Sequence, residues 1–457
     1  MNTLKTLAIS MVCVLAHNAH ATDLLEIWRG VGNHDPDVAA AMSAKLAGNE
    51  KRVQARSLWL PSITLGGNAS WINSSTGLTG ANFSAPGLGL SNGVAFNTSV
   101  KNGGSNAWSI QAKQAILSKE RVAQAHQLLA SANAAEFQWQ FSNEELMLKA
   151  AQRYFDVVLL SVKLNLLQNQ YRAIQIETTK TKDKFKIGEL PIIDTHEAYS
   201  RQQVLSAQIM TADNELETAT LILSDSSSIA IKDLNPKEPQ DQLKVFDIKT
   251  LENWQNRARS ANPLLKMLEL KLEGAHHQVA AYALASSTSL DLIAQASQQK
   301  INGNGAYGSS NIFNQQQTVG VQLTVPIFTG GYTSSKHTEA IQLEEKARHE
   351  LAGAEFKVRQ SVQSSWLSLK SGMAKIDALR LGLFAAESKL SSTQLAQEVG
   401  DRTTLDLLDA TNEEMLAKSN LLQAKIDYLL NQLNMFALVG QLDLETLTSI
   451  NEQLQKQ

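Results

Sequence analysis

Residues 399–411 read VGDRTTLDLLDAT, so a glycine and an arginine precede two closely spaced aspartates, Asp406 and Asp409. Residues 188–198, GELPIIDTHEA, have the same pattern of glycine and acidic residues earlier in the chain. Both stretches fit the pattern G-x5-D-x-x-[DE]-A, and their glycines, Gly188 and Gly400, are 212 positions apart. Glycine is typical of the end of a helix and acidic residues of the start of the next. The sequence therefore predicts a duplicated unit with a helix–turn–helix boundary in each half.

Two long stretches without proline precede these turns. Residues 119–188 and 330–400 are rich in Ala, Leu, Gln, Glu and Lys, and their apolar residues recur at steps of three and four. Proline, the strongest helix breaker, is absent from both. We predict one helix over each stretch, and a second helix after each turn, at roughly 194–224 and 404–437.

Alternating residues indicate strands before each long helix. Apolar residues occupy every second position in TVGVQLTVPI at 318–327 and, less strictly, in LPSITLGGNASW at 60–71. Residues 107–116 and 289–297 are weaker candidates. We predict four strands in two hairpins, joined by Gly-, Ser- and Asn-rich loops at 72–106 and 302–317.

Aromatic residues near the predicted strand ends suggest a membrane role. Trp71, Trp108, Phe313 and Phe328 fit an interfacial aromatic girdle. Alternation alone fits equally a pair of soluble hairpins that cap the helices. Because four strands cannot close a barrel and lipid does not tolerate an open sheet edge, a membrane role requires several chains to pool strands, and three chains give twelve.

The N-terminal residues 1–21 have the features of a secretory signal peptide. Lys5 precedes an apolar run, and Ala19 and Ala21 form a small-residue cleavage site before Thr22. The only cysteine, Cys13, lies inside this segment. We expect an exported mature chain without disulfides.

Charge and motifs argue against several classes of function. The formal net charge is −3 at pH 7 and no basic block occurs, which argues against a nucleic-acid partner. The histidines lack a metal-ligand spacing, and no nucleophile elbow, phosphate-binding loop or dinucleotide fingerprint is present. We expect no enzyme activity, no metal and no cofactor.

Together, VGDRTTLDLLDAT, the later stretch YLLNQLNMFALVGQL at 428–442, the duplicated plan and the signal peptide closely resemble the TolC family of outer-membrane channel-tunnels. The resemblance covers essentially the whole mature chain. It implies a mainly α-helical fold with a membrane β part. In a homotrimer, twelve pooled strands would form an outer-membrane β-barrel, and coiled-coil helix hairpins would form a periplasmic α-barrel.

The resemblance also implies the domain plan, with a belt formed by the segment between the repeats and by the C-terminal tail. The expected divisions are a signal peptide at 1–21, a first structural repeat at 22–224, an inter-repeat equatorial segment at 225–262, a second repeat at 263–437 and an equatorial tail at 438–457.

The family assigns a role to the acids of the opening stretch. Residues matching Asp406 and Asp409 form rings of carboxylates at the periplasmic entrance, which filter and bind cations. For Asp406 a purely structural alternative exists, because Thr403 can cap a helix with Asp406 three residues on. Asp409, one turn further along, has no such explanation.

Other residues match the family's gate latch and docking site. The arginine matching Arg402 meets the aspartate matching Asp194 between the two helix hairpins and closes the entrance. Arg402 could instead be an ordinary solvated turn residue. Gln397 stands where the family pattern has a tyrosine, and Ile193 where it has a threonine, so the latch would depend more on Arg402 and Asp194. Gly188 and Gly400 lie at the hairpin tips, where the family docks an adaptor protein, although a glycine turn alone would also explain them.

The implied function is a passive exit duct for a tripartite efflux pump or a type I secretion system. Its partners would be outer-membrane lipid, a periplasmic adaptor (membrane fusion) protein and an inner-membrane transporter of the ABC, RND or MFS type. The duct would lie in the outer membrane and extend into the periplasm, carrying drugs or secreted proteins. The alternative is a periplasmic coiled-coil adaptor or a structural scaffold.

Overall fold

The computed structural model describes residues 22–87, 89–283, 287–305 and 308–455; the predicted signal peptide lies outside these residues. The two halves of the chain have the same order of elements, namely two helices, two strands, a long helix and a further helix. The first half comprises α1 (Leu24–His34), α2 (Pro36–Ser57), β1 (Ser62–Ala85), β2 (Gly89–Ser118), α3 (Lys119–Lys186) and α4 (Ile192–Ser227). The second comprises α5 (Leu251–Ala261), α6 (Pro263–Tyr282), β3 (Ser289–Gly305), β4 (Gly308–Thr324), α7 (Tyr332–Glu398) and α8 (Thr404–Leu438), followed by α9 (Leu444–Asn451).

The predicted long helices are confirmed. Helix α3 has 68 residues and α7 has 67, and each is followed by a helix of matching length, 36 residues in α4 and 35 in α8. Local signals explain the agreement, because proline is absent from the long helices and a glycine follows each of them. None of the helices in the described ranges carries an apolar stretch long enough to cross a membrane.

The chain divides into two compact units, and each unit contains segments from both halves. The helical unit contains the described residues of Met1–Lys45, Phe137–Lys266 and Gly353–Gln457. The strand unit contains Leu46–Glu136 and the described residues of Met267–Ala352.

In the strand unit, the four predicted strands form one antiparallel sheet in the order β1-β2-β3-β4. The two predicted hairpins are confirmed, and β2 and β3 join them through pairs that begin at Ser118↔Ser289. The predicted loops at 72–106 and 302–317 are wrong, because most of these residues continue the strands. Thr76 pairs with Thr98, for example, and Asn302 with Asn311.

The polar hairpins form because a ladder satisfies backbone N–H and C=O groups whatever the side chains are. Shifts of register between Ile72 and Ser74 and between Leu78 and Ala81 accommodate irregularities in β1. The last strand ends earlier than predicted: β4 stops at Thr324, so Phe328 of the predicted girdle lies beyond it. Pro326 explains this end, since proline cannot donate to a ladder.

The two faces of the sheet differ in chemistry. One face exposes apolar side chains: Leu65, Val319 and Val321 are 75%, 79% and 64% exposed. On the other face Asp291 is buried and forms a 3.0 Å ion pair with Lys113. Such an apolar-out, polar-in alternation is typical of strands in a membrane sheet.

The helical unit has a core around Tyr154, which is fully buried. Its hydroxyl accepts a 2.6 Å hydrogen bond from the backbone N–H of Lys237 and lies 3.3 Å from the carbonyl oxygen of Thr22. Burial raises the pKa of this hydroxyl above its usual range. Tyr154 therefore joins the N-terminal segment and the inter-repeat segment to α3.

The inter-repeat segment and the C-terminal tail contact each other. Pro239 and Leu454 form an isolated antiparallel bridge. The N–H of Gln240 donates to the carbonyl of Gln453 at 2.9 Å, and the N–H of Gln455 donates to Glu238 at 2.8 Å. The expected equatorial segments thus pack together in one unit, while their role as a belt stays a prediction.

Candidate functional site: the hairpin tips

Two equivalent turns end the long helices. Gly188 and Gly400 have φ of +79° and +85°, a region that residues with a Cβ rarely adopt. In each turn the glycine N–H binds the carbonyl three residues back, at 3.0 and 3.1 Å, and the next N–H binds the carbonyl five residues back, at 2.9 Å. This pair of bonds is the Schellman motif. The matching glycines in the two halves of the sequence therefore produce matching turns.

Asp406 belongs to a capping box at the start of α8. The hydroxyl of Thr403 accepts a 3.1 Å hydrogen bond from the N–H of Asp406, and the Asp406 carboxylate accepts one of 2.9 Å from the N–H of Thr403. These bonds to the backbone and the hydroxyl of Thr403 lower the pKa of Asp406, with a smaller effect from Arg402. The capping role predicted for Asp406 as the structural alternative is thus confirmed. The lowered pKa keeps its exposed carboxylate ionised.

Asp409 forms an ion pair that the sequence does not reveal. Its Oδ1 lies 2.7 Å from Nη1 of Arg201, and the two side chains are 57% and 36% exposed. Arg201 lies on α4 and Asp409 on α8, so the contact joins the two hairpins of the chain. A guanidinium at this distance partly neutralises the carboxylate.

Glu177 of α3, which sequence reasoning missed, contacts side chains of two other helices near the tips. It is buried, with 6% exposure. Its Oε1 accepts hydrogen bonds from Nε2 of Gln397 at 2.7 Å and from the hydroxyl of Thr404 at 2.9 Å. Nζ of Lys180 lies 3.5 Å from Oε2. Glu177 therefore ties α3 to both α7 and α8.

Two of the predicted latch residues, Arg402 and Gln397, have other partners within this chain. Nη1 of Arg402 lies 3.8 Å from Oδ1 of Asp406, one turn away on the same segment. Asp194 lies in the first turn of α4, and no ion pair joins it to Arg402 among the described residues. Gln397 contacts Glu177 instead. The latch between Arg402 and Asp194 that the family resemblance implies stays a prediction.

An apolar cluster fixes the helices behind these polar contacts. It consists of buried side chains from α3, α4 and α8, namely Leu164, Leu167, Ile174, Leu205, Ala212 and Leu408. The cluster holds the first hairpin against α8, so the ties at Glu177 and Asp409 form on a packed scaffold. In the part of the chain that the structure describes, no group of three or more His, Cys, Asp or Glu side chains is arranged to hold a metal ion.

Comparisons with known proteins agree with this geometry. Residues 254–441 match the model of the family described as "Outer membrane efflux protein". The chain is 25% identical over 449 residues to "Outer membrane protein TolC" of Escherichia coli, covering 96% of this chain and 86% of that protein. It is 23% identical to "Alkaline protease secretion protein AprF" of Pseudomonas aeruginosa, covering 92% and 85%.

Solved structures have the same fold. The outer membrane protein VceC of Vibrio cholerae superposes with a TM-score of 0.71 at 14% identity, over 91% of this chain and 96% of that one. The outer membrane channel CmeC of Campylobacter jejuni gives 0.70 at 16% identity, over 94% and 88%. The similarity to these relatives indicates that the protein lies in the outer membrane and extends into the periplasm. Over nearly its whole length, the chain is therefore similar to outer membrane proteins of the TolC type.

Proposed function

We propose that the protein is a homotrimeric channel-tunnel that serves as the exit duct of a tripartite efflux pump or a type I secretion system. Twelve pooled strands would form its barrel and the helix hairpins its periplasmic tunnel, with the two halves of each chain as duplicated repeats. Conduction would be passive, with the energy supplied by an inner-membrane transporter. The family is one of channels rather than of enzymes.

The observation that carries this proposal is the open sheet. Strands β1 and β4 are its edge strands, and apolar side chains are exposed along one face. In lipid, unpaired edges are too costly to persist, so β4 of one copy has to pair with β1 of the next until the sheet closes. Three copies of a four-stranded sheet give a closed barrel of twelve strands.

The hairpin tips would form the gate. Asp406 and Asp409 lie one turn apart on α8, so three copies around an axis would place two carboxylate rings at the entrance. The Glu177 and Arg201 contacts hold the two hairpins of one copy together. Arg402 and Asp194 would latch neighbouring copies, and opening would require these contacts to break.

The tips would also dock a periplasmic adaptor. Gly188 and Gly400 have open space where a Cβ would stand, so an adaptor helix could approach the backbone closely. Exposed apolar residues lie close to these glycines in the sequence: Ile187, Ile193 and Val399 are 69%, 63% and 80% exposed. Exposed apolar side chains beside accessible backbone suit a helical partner.

Reconstitution tests the proposal. The full chain, purified from outer membranes in mild detergent, should run as a trimer in light scattering and conduct ions in planar bilayers. Recovery as a soluble periplasmic monomer, or a trimer that is silent in bilayers under all voltages, would refute the duct function.

A further inference from the structure

A cavity lies in the helical unit between α1, the middle of α3 and the chain that leads from α8 into α9. Its volume is about 900 Å³, within the range of roughly 300–1,000 Å³ that small-molecule sites occupy. It contains none of the hairpin-tip residues described above. The proposed duct function therefore leaves this cavity without a role.

One side of the cavity is apolar and aromatic. Trp28, Met147 and Leu442 line it and are nearly buried, with exposures of 8%, 2% and 4%. The half-buried ring of Phe436 adds a second aromatic surface. Walls of this kind bind the apolar body of a ligand, and aromatic faces also attract cations.

The polar side of the cavity is acidic. Glu144, Asp443 and Glu445 line it, and no Lys, Arg or His is among its described lining residues. Asp443 is fixed in place as the N-cap of α9, where its carboxylate accepts a 2.8 Å hydrogen bond from the N–H of Thr446. The cavity thus offers negative charge without a compensating side chain along its lining.

Glu144 is the unusual member of this group, since it is only 4% exposed. Its Oε1 accepts a 3.0 Å hydrogen bond from the amide of Gln140, which also lies 3.3 Å from the carbonyl oxygen of Gly440. Burial raises the pKa of Glu144 to about 7, and the Asp443 carboxylate contributes to the rise. A neutral amide compensates a buried carboxylate poorly, so a cation in the cavity would remove an existing penalty.

We propose that this cavity binds a small organic cation, with its charged group against Glu144 and its apolar body against Trp28 and Met147. The ligand class follows from the combination of a buried carboxylate, aromatic walls and an acidic lining. Binding does not depend on conduction, so it succeeds or fails separately from the proposed duct function.

Equilibrium dialysis with tetraphenylphosphonium tests the proposal on the full detergent-solubilised protein, with protein-free micelles as the blank. This probe carries a permanent charge, so pH dependence of binding reports the protein. Because Glu144 ionises with a pKa of about 7, we expect roughly tenfold tighter binding at pH 8.5 than at pH 5.5, which corresponds to about 1.4 kcal/mol. The neutral triphenylphosphine oxide should bind weakly at both pH values.

Matched variants identify the group responsible. Glu144→Gln should abolish the pH dependence, whereas Glu217→Gln, an exposed acid on α4, should leave it unchanged. Asp443→Asn keeps a good helix cap and should move the midpoint of the pH dependence to lower pH. Oligomeric state and melting temperature show whether each variant is folded.

Three results would overturn the proposal: binding to Glu144→Gln as tight as to the unchanged protein, affinity independent of pH, or equal affinity for the neutral oxide. If Glu144→Gln does not fold, the Asp443→Asn variant tests the proposal instead. A midpoint of the pH dependence of binding that does not move in Asp443→Asn would also overturn the proposal.

Discussion

Nε2 of Gln397 donates a 2.7 Å hydrogen bond to Oε1 of Glu177, and this bond joins the two helix hairpins of the chain near their tips. The same carboxylate oxygen accepts a bond from Thr404. Family resemblance places a latch at Gln397 but does not identify its acceptor in this chain. The structure identifies Glu177 as the residue that accepts the hydrogen bond from Gln397.

The first prediction concerns Glu177. Glu177→Ala removes the acceptor shared by Gln397 and Thr404, so the two hairpins should separate more easily and single-channel conductance should rise severalfold. Gln397→Ala removes one of the two bonds and should have a smaller effect. Glu217→Ala serves as a control because Glu217 is an exposed acid of α4. Conductance of Glu177→Ala equal to that of the unchanged protein would show that this tie does not limit opening.

The second prediction concerns the carboxylate rings. Asp406→Ala combined with Asp409→Ala should lower cation selectivity and abolish block by multivalent cations. Because Arg201 neutralises part of the Asp409 charge, Arg201→Ala should instead strengthen that block. Blocking constants from bilayer recordings measure both effects. If the double variant is blocked as strongly as the unchanged channel, the rings lie elsewhere.

The third prediction concerns the latch between copies. Arg402→Ser should raise conductance, but Arg402 also lies near Asp406, so a single variant is ambiguous. A double-mutant cycle with Asp194→Ala separates the two contacts. A latch requires the double variant to conduct no more than the stronger single variant. Strictly additive effects would mean that the two residues do not form a pair.

The extent of prediction from sequence depends on whether the signal is local. The absence of proline allows α3 and α7 to be long, and a glycine follows the end of each. A cap marks the start of α8. These elements are therefore predictable from local sequence. The pairing of Thr76 with Thr98 is not, because polar residues carry no apolar alternation and the ladder forms between distant backbone groups. Glu177 is missed for a related reason, since its partners depend on how α3, α7 and α8 align.

The fourth prediction concerns Glu144 and pH. Its folded pKa of about 7 lies above the ordinary value of 4.5 for a glutamate, so the folded state binds the proton more tightly than the unfolded state. Its contribution to stability is therefore complete below pH 4.5 and is lost as pH rises through 7. We expect a loss of roughly 2 kcal/mol, reduced from the full linkage value because the cavity is open to solvent.

Unfolding at a series of pH values measures this effect. Glu144→Gln has no proton to lose and should flatten the curve between pH 5 and 8, whereas Glu217→Gln should leave the slope intact. A slope that persists in Glu144→Gln would assign the pH dependence to other groups.

The last prediction concerns Lys425 of α8, which is only 7% exposed in its side chain yet carries an ammonium group. Its Nζ lies 2.9 Å from Oδ1 of Asp241, an exposed residue of the inter-repeat segment, and this hydrogen bond lowers the pKa of the aspartate. Removing the aspartate leaves a buried cation without its partner, which costs more than losing an exposed ion pair. Asp241→Ala should therefore destabilise the protein by about 2 kcal/mol in unfolding experiments.

Lys425→Met separates the cost of the stranded charge from the value of the bond itself. Methionine keeps the apolar stem and removes the charge, so it should destabilise the protein by less than Asp241→Ala does. In the Lys425→Met background, Asp241→Ala should be close to neutral, since no cation remains to be left unpaired. An equal loss from Asp241→Ala in both backgrounds would mean that the aspartate acts through its backbone segment rather than through Lys425.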